Sequence, residues 1–236
     1  MRIYPNHRFN EVHIFEPYNL EVYLFGVWDA GKKVVLSEWF ATRTSNFLTI
    51  FSGISYLLWV PGPMVYALYL MKNHKLKMID YTYAFLFTNF IGFIIYYAYP
   101  AAPPWYYINF GDATDFSIPG NPGLLAEFDK LVGAEIFGSM YNKNANVFAA
   151  IPSLHAAYPL IALFYALKHK MKRFAWFFVI LTIGIWLAAV YSQHHYVIDL
   201  VLGMFCAIGA YYLMNWFDKK SFYQRFRQKL FDELSA

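Results

Sequence analysis

The chain reads as an all-α integral membrane protein with five clear spans and an N-terminal amphipathic or half-inserted helix. Three observations predict this. Of 236 residues, 59% are hydrophobic and 22% aromatic, against 14% charged. Five apolar stretches are long enough to cross about 30 Å of hydrocarbon, which takes roughly 20 residues. Lysine and arginine gather in short connections between those stretches, as they do at the cytoplasmic ends of membrane helices.

Residues 1–46 form an N-terminal segment. Met1-Arg2-Ile3-Tyr4-Pro5-Asn6 lacks the basic-then-apolar run of a cleaved signal, so the start is expected to be retained. Between Tyr18 and Phe40, the charges Glu21, Asp29, Lys32, Lys33 and Glu38 argue against a span. Leu20, Leu24, Val27, Trp28, Val34 and Val35 could still form an apolar stripe, giving an amphipathic or half-inserted helix. A membrane domain follows over residues 47–217, with predicted spans at 47–71, 81–99, 151–167, 174–191 and 196–217. Pro61-Gly62-Pro63 should kink the first, because each proline removes a backbone donor. Residues 218–236 are a basic tail. The single cysteine, Cys206, excludes an internal disulfide and falls mid-helix, where it packs.

Orientation follows from the connections. Lys72, Lys75 and Lys77 fill one, and Lys168, Lys170, Lys172 and Arg173 another. Lys219, Lys220, Arg225, Arg227 and Lys229 follow the last span. If five spans alternate, these regions share a side, and the positive-inside rule makes it cytoplasmic, the C-terminus included. The opposite side receives the long loop 100–150, rich in proline and glycine, which exceeds ordinary connections and reads as a cap. A short surface helix is expected within it at 124–132. The net charge of +4 is modest and dispersed, which excludes a nucleic-acid surface.

Pro152-Ser153-Leu154-His155 and His194-His195-Tyr196-Val197-Ile198-Asp199 carry the chemistry. Both open a span on the non-cytoplasmic side. Ionisable groups there are expensive and mark function by default. Asp199 stands four residues after His195, on the same helical face, where a carboxylate can fix the imidazole tautomer and leave the other nitrogen nucleophilic. Ser153 is a plausible N-cap, and the helix N-terminus beside His155 favours an anion. His155 could then protonate a departing alkoxide and later deprotonate an incoming hydroxyl. The residues need no metal or other cofactor. Zinc could accept His155, His194, His195 and Asp199, but adjacent histidines on a helix diverge by about 100° and rarely share one ion.

These residues resemble the type 2 phosphatidic acid phosphatase (PAP2) superfamily. Its Pro-Ser-x-His motif appears as residues 152–155, and its final motif as His195-Tyr196 with Asp199 and Gly203. The chain looks closest to the inositol phosphorylceramide synthase branch, whose luminal loop is similar to Pro103-Pro104-Trp105-Tyr106, residues 116–123 and residues 128–133. The resemblance implies a six-helix PAP2-like bundle with His195 as nucleophile, Asp199 orienting it and His155 as general acid and base. The superfamily's phosphate clamps, Lys-x6-Arg-Pro and a Ser-Arg pair, are absent; Ala188-Ala189 stand at the Ser-Arg positions. Arg43 is the first candidate replacement, followed by Lys143 and Lys130, with Ser153, Ser192, Gln193 and His194 as further donors. Asp112 and Asp115 read as solvated loop acids that could also hydrogen-bond a polyol.

The expected activity is lipid phosphotransfer through a phosphohistidine. A phosphoinositol-type headgroup would move from a glycerophospholipid to a ceramide-type alcohol. The alternative is a lipid phosphate phosphatase acting on a phosphoinositide, phosphatidate or polyprenyl phosphate; a proton-coupled transporter is remote. The partners are membrane lipids, and no sequence feature indicates an oligomeric state. The expected location is a bacterial cytoplasmic membrane with a periplasm-facing site, and a Golgi membrane with a luminal site fits the same topology.

Overall fold

The computed structural model describes residues 3–143 and 146–235. Met1 and Arg2, from the expected retained start, and Ala236, from the tail, lie outside the described residues, as do Asn144 and Ala145 of the cap loop.

The N-terminal segment does not form one amphipathic helix. After a 3-10 turn at Asn6–Arg8 come α1 (Phe15–Phe25), a hairpin of β1 (Val27–Asp29) and β2 (Lys32–Val34), and α2 (Leu36–Ala41). Gly26 ends α1, and Ala30 and Gly31 both take positive φ in the two-residue turn, pairing Val27 with Val34. The expected apolar stripe is therefore divided. Val34 and Val35 are buried, while Leu20, Leu24 and Trp28 point outward.

The first predicted span is two helices, α3 (Asn46–Leu57) and α4 (Pro61–Asn73), bent by 40° at the break before Pro61. Proline is tolerated there because the first helical position needs no amide donor. α5 (Lys75–Ala98) then returns across the bundle. The cap loop carries α6 (Pro104–Phe110), α7 (Leu125–Val132) and α8 (Ile136–Tyr141). Next come α9 (Leu154–Lys168), α10 (Lys172–Tyr191), α11 (Val197–Phe217) and α12 (Ser221–Glu233). By length and composition α5, α10 and α11 can each cross a membrane, as can the bent α3–α4 pair taken as one span; α9 has 15 residues and is shorter.

α9 is the axis of the bundle. Its residues Ala157, Ile161, Ala162, Tyr165 and Ala166 are wholly buried, covered by α5, α10, α11 and α4. It runs parallel to α11 and in register with it. The Ser153 amide donates to the Asp199 carbonyl at 2.9 Å at one end, and Lys168 Nζ to Asn215 Oδ1 at 2.7 Å at the other. Gly203 permits this approach, since a Cβ there would collide with the Ser153 carbonyl. The basic connections gather at the end of the bundle away from Ser153. Lys75 donates to the Leu234 carbonyl, Lys168 pairs with Asp218, and Arg227 of α12 pairs with buried Asp80 of α5 at 2.8 Å.

Candidate active site

Two chain reversals bring the histidines together. Ser153 caps α9 by accepting from the Ala156 amide at 3.3 Å, which sets His155 in the first helical turn. The α10–α11 connection, Ser192–Tyr196, is buried along its whole length. It turns through Gln193, held at φ 66. The result is a linear hydrogen-bonded chain. Asp199 Oδ2 accepts from His195 Nδ1 at 3.2 Å and from the Tyr196 amide at 3.0 Å. His195 Nε2 faces His155 Nδ1 at 3.1 Å. With His195 Nδ1–H committed to Asp199, its Nε2 presents a lone pair, as a nitrogen nucleophile must.

Electrostatics support the same reading. Burial drives the His195 imidazole down to about 4, partly offset by the Ala150 carbonyl, so the ring is neutral near pH 7. Burial likewise drives His194 down to about 3. Tyr56 and Trp59 hold the His155 ring, with centroids at 4.9 and 4.3 Å.

Above this chain lies a cavity of 80 Å³ lined by Tyr56, His155, His194 and His195 below, and by Pro103, Trp105, Gly120, Tyr141, Asn146, Val147, Ala149 and Ala150 above. Most of the roof is the cap loop, and the loop segments singled out in the sequence dock it. Asn121 accepts from His194 Nε2 at 2.9 Å through its carbonyl. Gly123, at φ 54, lies against the Ser192 carbonyl where a Cβ would clash. Trp105 donates its amide to the Gln193 carbonyl at 3.0 Å. Buried Asp129 accepts from the Phe137 and Gly138 amides and so caps α8, which carries Tyr141.

The candidate phosphate contacts separate. His194 is in the wall, but its ring is engaged: Nε2–H meets Asn121, and Nδ1 lies 3.0 Å from both the Tyr141 and Ser192 hydroxyls. Ser153 is buried as a helix cap, and Gln193 Nε2 reaches toward the Ser37 carbonyl. Arg43 is exposed, doubly bonded to Asp29 at 2.8 and 3.1 Å and stacked on Trp39. Lys143 is exposed, and Lys130 pairs with Glu127. Neither Lys nor Arg contributes to the cavity wall among the described residues. No group of three or more His, Cys, Asp or Glu is arranged to hold a metal among them.

Glu21 was missed as a functional residue, having counted only as a charge against a membrane span. It is 1% exposed. From α1 its Oε1 and Oε2 accept from the Val197 and Ile198 amides at 2.9 and 3.1 Å, capping α11 between His195 and Asp199. Local capping signals lie within a few residues of a helix start, so a cap 176 residues away leaves none.

Residues 28–213 match the sequence profile of the PAP2 superfamily. The chain belongs to that superfamily. It is 44% identical over 238 aligned residues to a phosphoinositol dihydroceramide synthase of Bacteroides thetaiotaomicron, an alignment covering 97% of this chain and 77% of that protein. It is 29% identical to the inositol phosphorylceramide synthase of Candida albicans, over 75% of this chain and 38% of that protein. The catalytic subunit of the Saccharomyces cerevisiae inositol phosphorylceramide synthase is 32% identical, over 71% and 42% respectively. The chain thus spans about three quarters of the bacterial relative and about two fifths of the fungal ones. No solved structure gives a significant match.

Proposed function

We propose that this PAP2 protein is a membrane lipid phosphotransferase that moves a phosphoinositol-type headgroup from a glycerophospholipid to a ceramide-type alcohol. The observation that carries the reading is the Asp199–His195–His155 chain beneath the roof of the cap loop. The names of the bacterial and fungal relatives point to the same chemistry.

In the first displacement His195 Nε2 attacks phosphorus, the bond to the glycerol oxygen breaks, and His155, entering the step protonated on both ring nitrogens, gives one proton to the leaving diacylglycerol. In the second, His155 takes the proton of the acceptor hydroxyl, whose oxygen attacks phosphorus as the P–N bond breaks. Substrate has to enter between the two rings, because they are in hydrogen-bond contact before it binds. The N-terminus of α9 is the helix end left to face phosphate, since Glu21 already occupies that of α11. A wall without Lys or Arg suits a phosphodiester, which carries one negative charge less than a monoester. The roof limits water around the phosphohistidine, the condition that favours an alcohol acceptor over hydrolysis. The arrangement of basic connections supports a site on the non-cytoplasmic face and a cytoplasmic C-terminus. In a bacterial cytoplasmic membrane that face is periplasmic, and in a Golgi membrane it is luminal.

The test uses purified protein in mixed micelles with headgroup-labelled phosphatidylinositol, with and without ceramide, beside His195→Ala. Label should enter a new ceramide-dependent lipid and be absent with the variant. Water-soluble labelled product formed regardless of ceramide would make the protein a hydrolase, and activity retained by His195→Ala would remove the mechanism.

A further inference from the structure

A second cleft adjoins the catalytic cavity. It has a volume of 220 Å³ and is lined by His7, Phe116, Ser117, Ile118, Pro119, Asn146, Val147 and Phe148. Asn146 and Val147 line both spaces, and Pro119 and Gly120, adjacent in sequence, line one each. On the same measure the catalytic cavity is 80 Å³. A phosphate held against His195 therefore has the larger room beside it for whatever it carries.

The cleft is built rather than incidental. Asn6, wholly buried, donates to the Tyr96 and Phe148 carbonyls at 2.8 and 2.7 Å and accepts from the His7 amide and Asn146 Nδ2. That one side chain ties the 3-10 turn to the strand-like stretch forming the shared wall. The His7 ring stacks on Phe116 at 4.2 Å, and its Nδ1 is buried with no partner among the described residues. Ser117 Oγ donates to Asp115 Oδ1 at 2.6 Å, which leaves its own lone pairs to accept. Phe116 is 58% exposed and offers an apolar face at the mouth.

The chemistry of these walls selects a ligand class. No Lys or Arg lines the cleft among the described residues, and Asp115 stands behind its rim, so a phosphate has nothing to pair with. With Nδ1 of the neutral His7 imidazole shut off from the cleft, Nε2 is the ring nitrogen left to meet a hydroxyl, as donor or acceptor. Desolvation, with Arg8 nearby, lowers the His7 pKa and favours that neutral form. An apolar platform with a few converging polar groups is the usual make-up of a small-molecule site.

We infer that this cleft is the headgroup subsite and that it takes the neutral, hydroxylated ring of a phosphopolyol, with its phosphate lying across Asn146 and Val147 in the catalytic cavity. The inference rests on the phosphotransferase reading and deepens it. A site that hydrogen-bonds hydroxyls rejects analogues lacking them far more strongly than a merely apolar pocket does. Selectivity for the donor headgroup therefore resides in the 3-10 turn and residues 116–119, separate from the histidines.

The experiment compares wild type with Phe116→Ala, Ser117→Ala and His7→Leu in the micellar transfer assay. Phe116 and Ser117 are exposed, so the first two variants keep the fold if the third does not. KM for phosphatidylinositol should rise about tenfold with little change in kcat, while KM for ceramide stays within about twofold. Soluble glycerophosphoinositol should inhibit wild type competitively and the variants about tenfold more weakly, which separates headgroup from acyl-chain recognition. Unchanged phosphatidylinositol KM in folded Phe116→Ala and Ser117→Ala, or an equal rise in ceramide KM, overturns the subsite. If wild type transfers nothing from phosphatidylinositol, the proposed function fails on its own, and inositol 1-phosphate then tests the subsite. A rise in wild-type thermal midpoint that Phe116→Ala abolishes would support it, and no rise in wild type would overturn it.

Discussion

Replacing Glu21 by alanine asks whether the N-terminal segment belongs to the catalytic apparatus. Its carboxylate satisfies two amides of α11, at 2.9 and 3.1 Å, in a largely buried setting. Leaving a buried donor unpaired costs about 1–3 kcal/mol, so two of them, less what water recovers, come to about 2–4 kcal/mol. The larger consequence is positional. His195 precedes Val197 by two residues and Asp199 follows Ile198, so a loosened helix start moves both. Misplacement by about 1 Å at a reacting centre costs up to about 100-fold in rate. In the ceramide-dependent transfer assay, run well below the unfolding temperature, kcat should fall about 10- to 100-fold. KM for either lipid should change less than about threefold, because Glu21 does not line the cavity. Glu21→Gln keeps one acceptor oxygen and should fall between. Full kcat in a folded Glu21→Ala protein would refute the argument. The residue also predicts a pH dependence. Burial lifts Glu21 from 4.5 to about 7, against the pull of the two amides and helped by Asp199. The folded state therefore holds this proton more tightly than the unfolded chain. Its contribution to stability is largest below 4.5 and declines as pH rises to about 7. The wild-type thermal midpoint should accordingly drop relative to Glu21→Gln across that interval.

Four further outcomes are expected. Asp199→Asn can donate its amide to His195 Nδ1 and move the ring proton to Nε2, and should lower kcat by roughly 10³- to 10⁴-fold with KM preserved, as tautomer reversal does in serine proteases; single-turnover rates check this. Gly203→Ala drives a Cβ into the Ser153 carbonyl, and because backbone cannot yield as a side chain does, α9 and α11 must separate. The expected loss is about 1–3 kcal/mol, read as a lower thermal midpoint in detergent. Arg43→Ala tests the first sequence candidate for the phosphate clamp. With Arg43 held by Asp29, KM for the donor should change less than about threefold, and a tenfold rise would restore the clamp role. His194 and His195, lowered by burial to about 3 and 4, bind protons in the unfolded chain before the folded one. Stability is then present in full above 6.5 and is lost as pH falls from 6.5 toward 4, a decline that a thermal scan series in acid should show.

What the sequence disclosed and what it hid follow one physical distinction. Histidines at the mouths of apolar helices are conspicuous because their desolvation demands a reason; the carboxylate four residues on does meet His195, although His195 lies one residue before the Tyr196 cap of α11, so the contact is made across the helix start and not along a helical face. The proline-induced bend and the surface helix of the cap rest on equally local rules. The N-terminal segment failed because its decisive events are not local. A two-residue turn with positive φ at Ala30 and Gly31 redirects the chain within a stretch whose hydrophobic spacing also suits a helix. Once redirected, Glu21 reaches an amide pair 176 residues away. Arg43 misled for the converse reason. A lone arginine beside a span looks available until folding brings Asp29 to it across the hairpin. The cap loop shows how the two kinds of information meet. Asn121, Gly123 and Asp129 were visible as a pattern, yet the reasons for them exist only in the folded chain. The Asn121 carbonyl accepts from His194 Nε2, Gly123 makes room for the Ser192 carbonyl, and Asp129 caps the start of the helix that brings Tyr141 to the same imidazole. All three thereby fix the roof to the connection that carries His195.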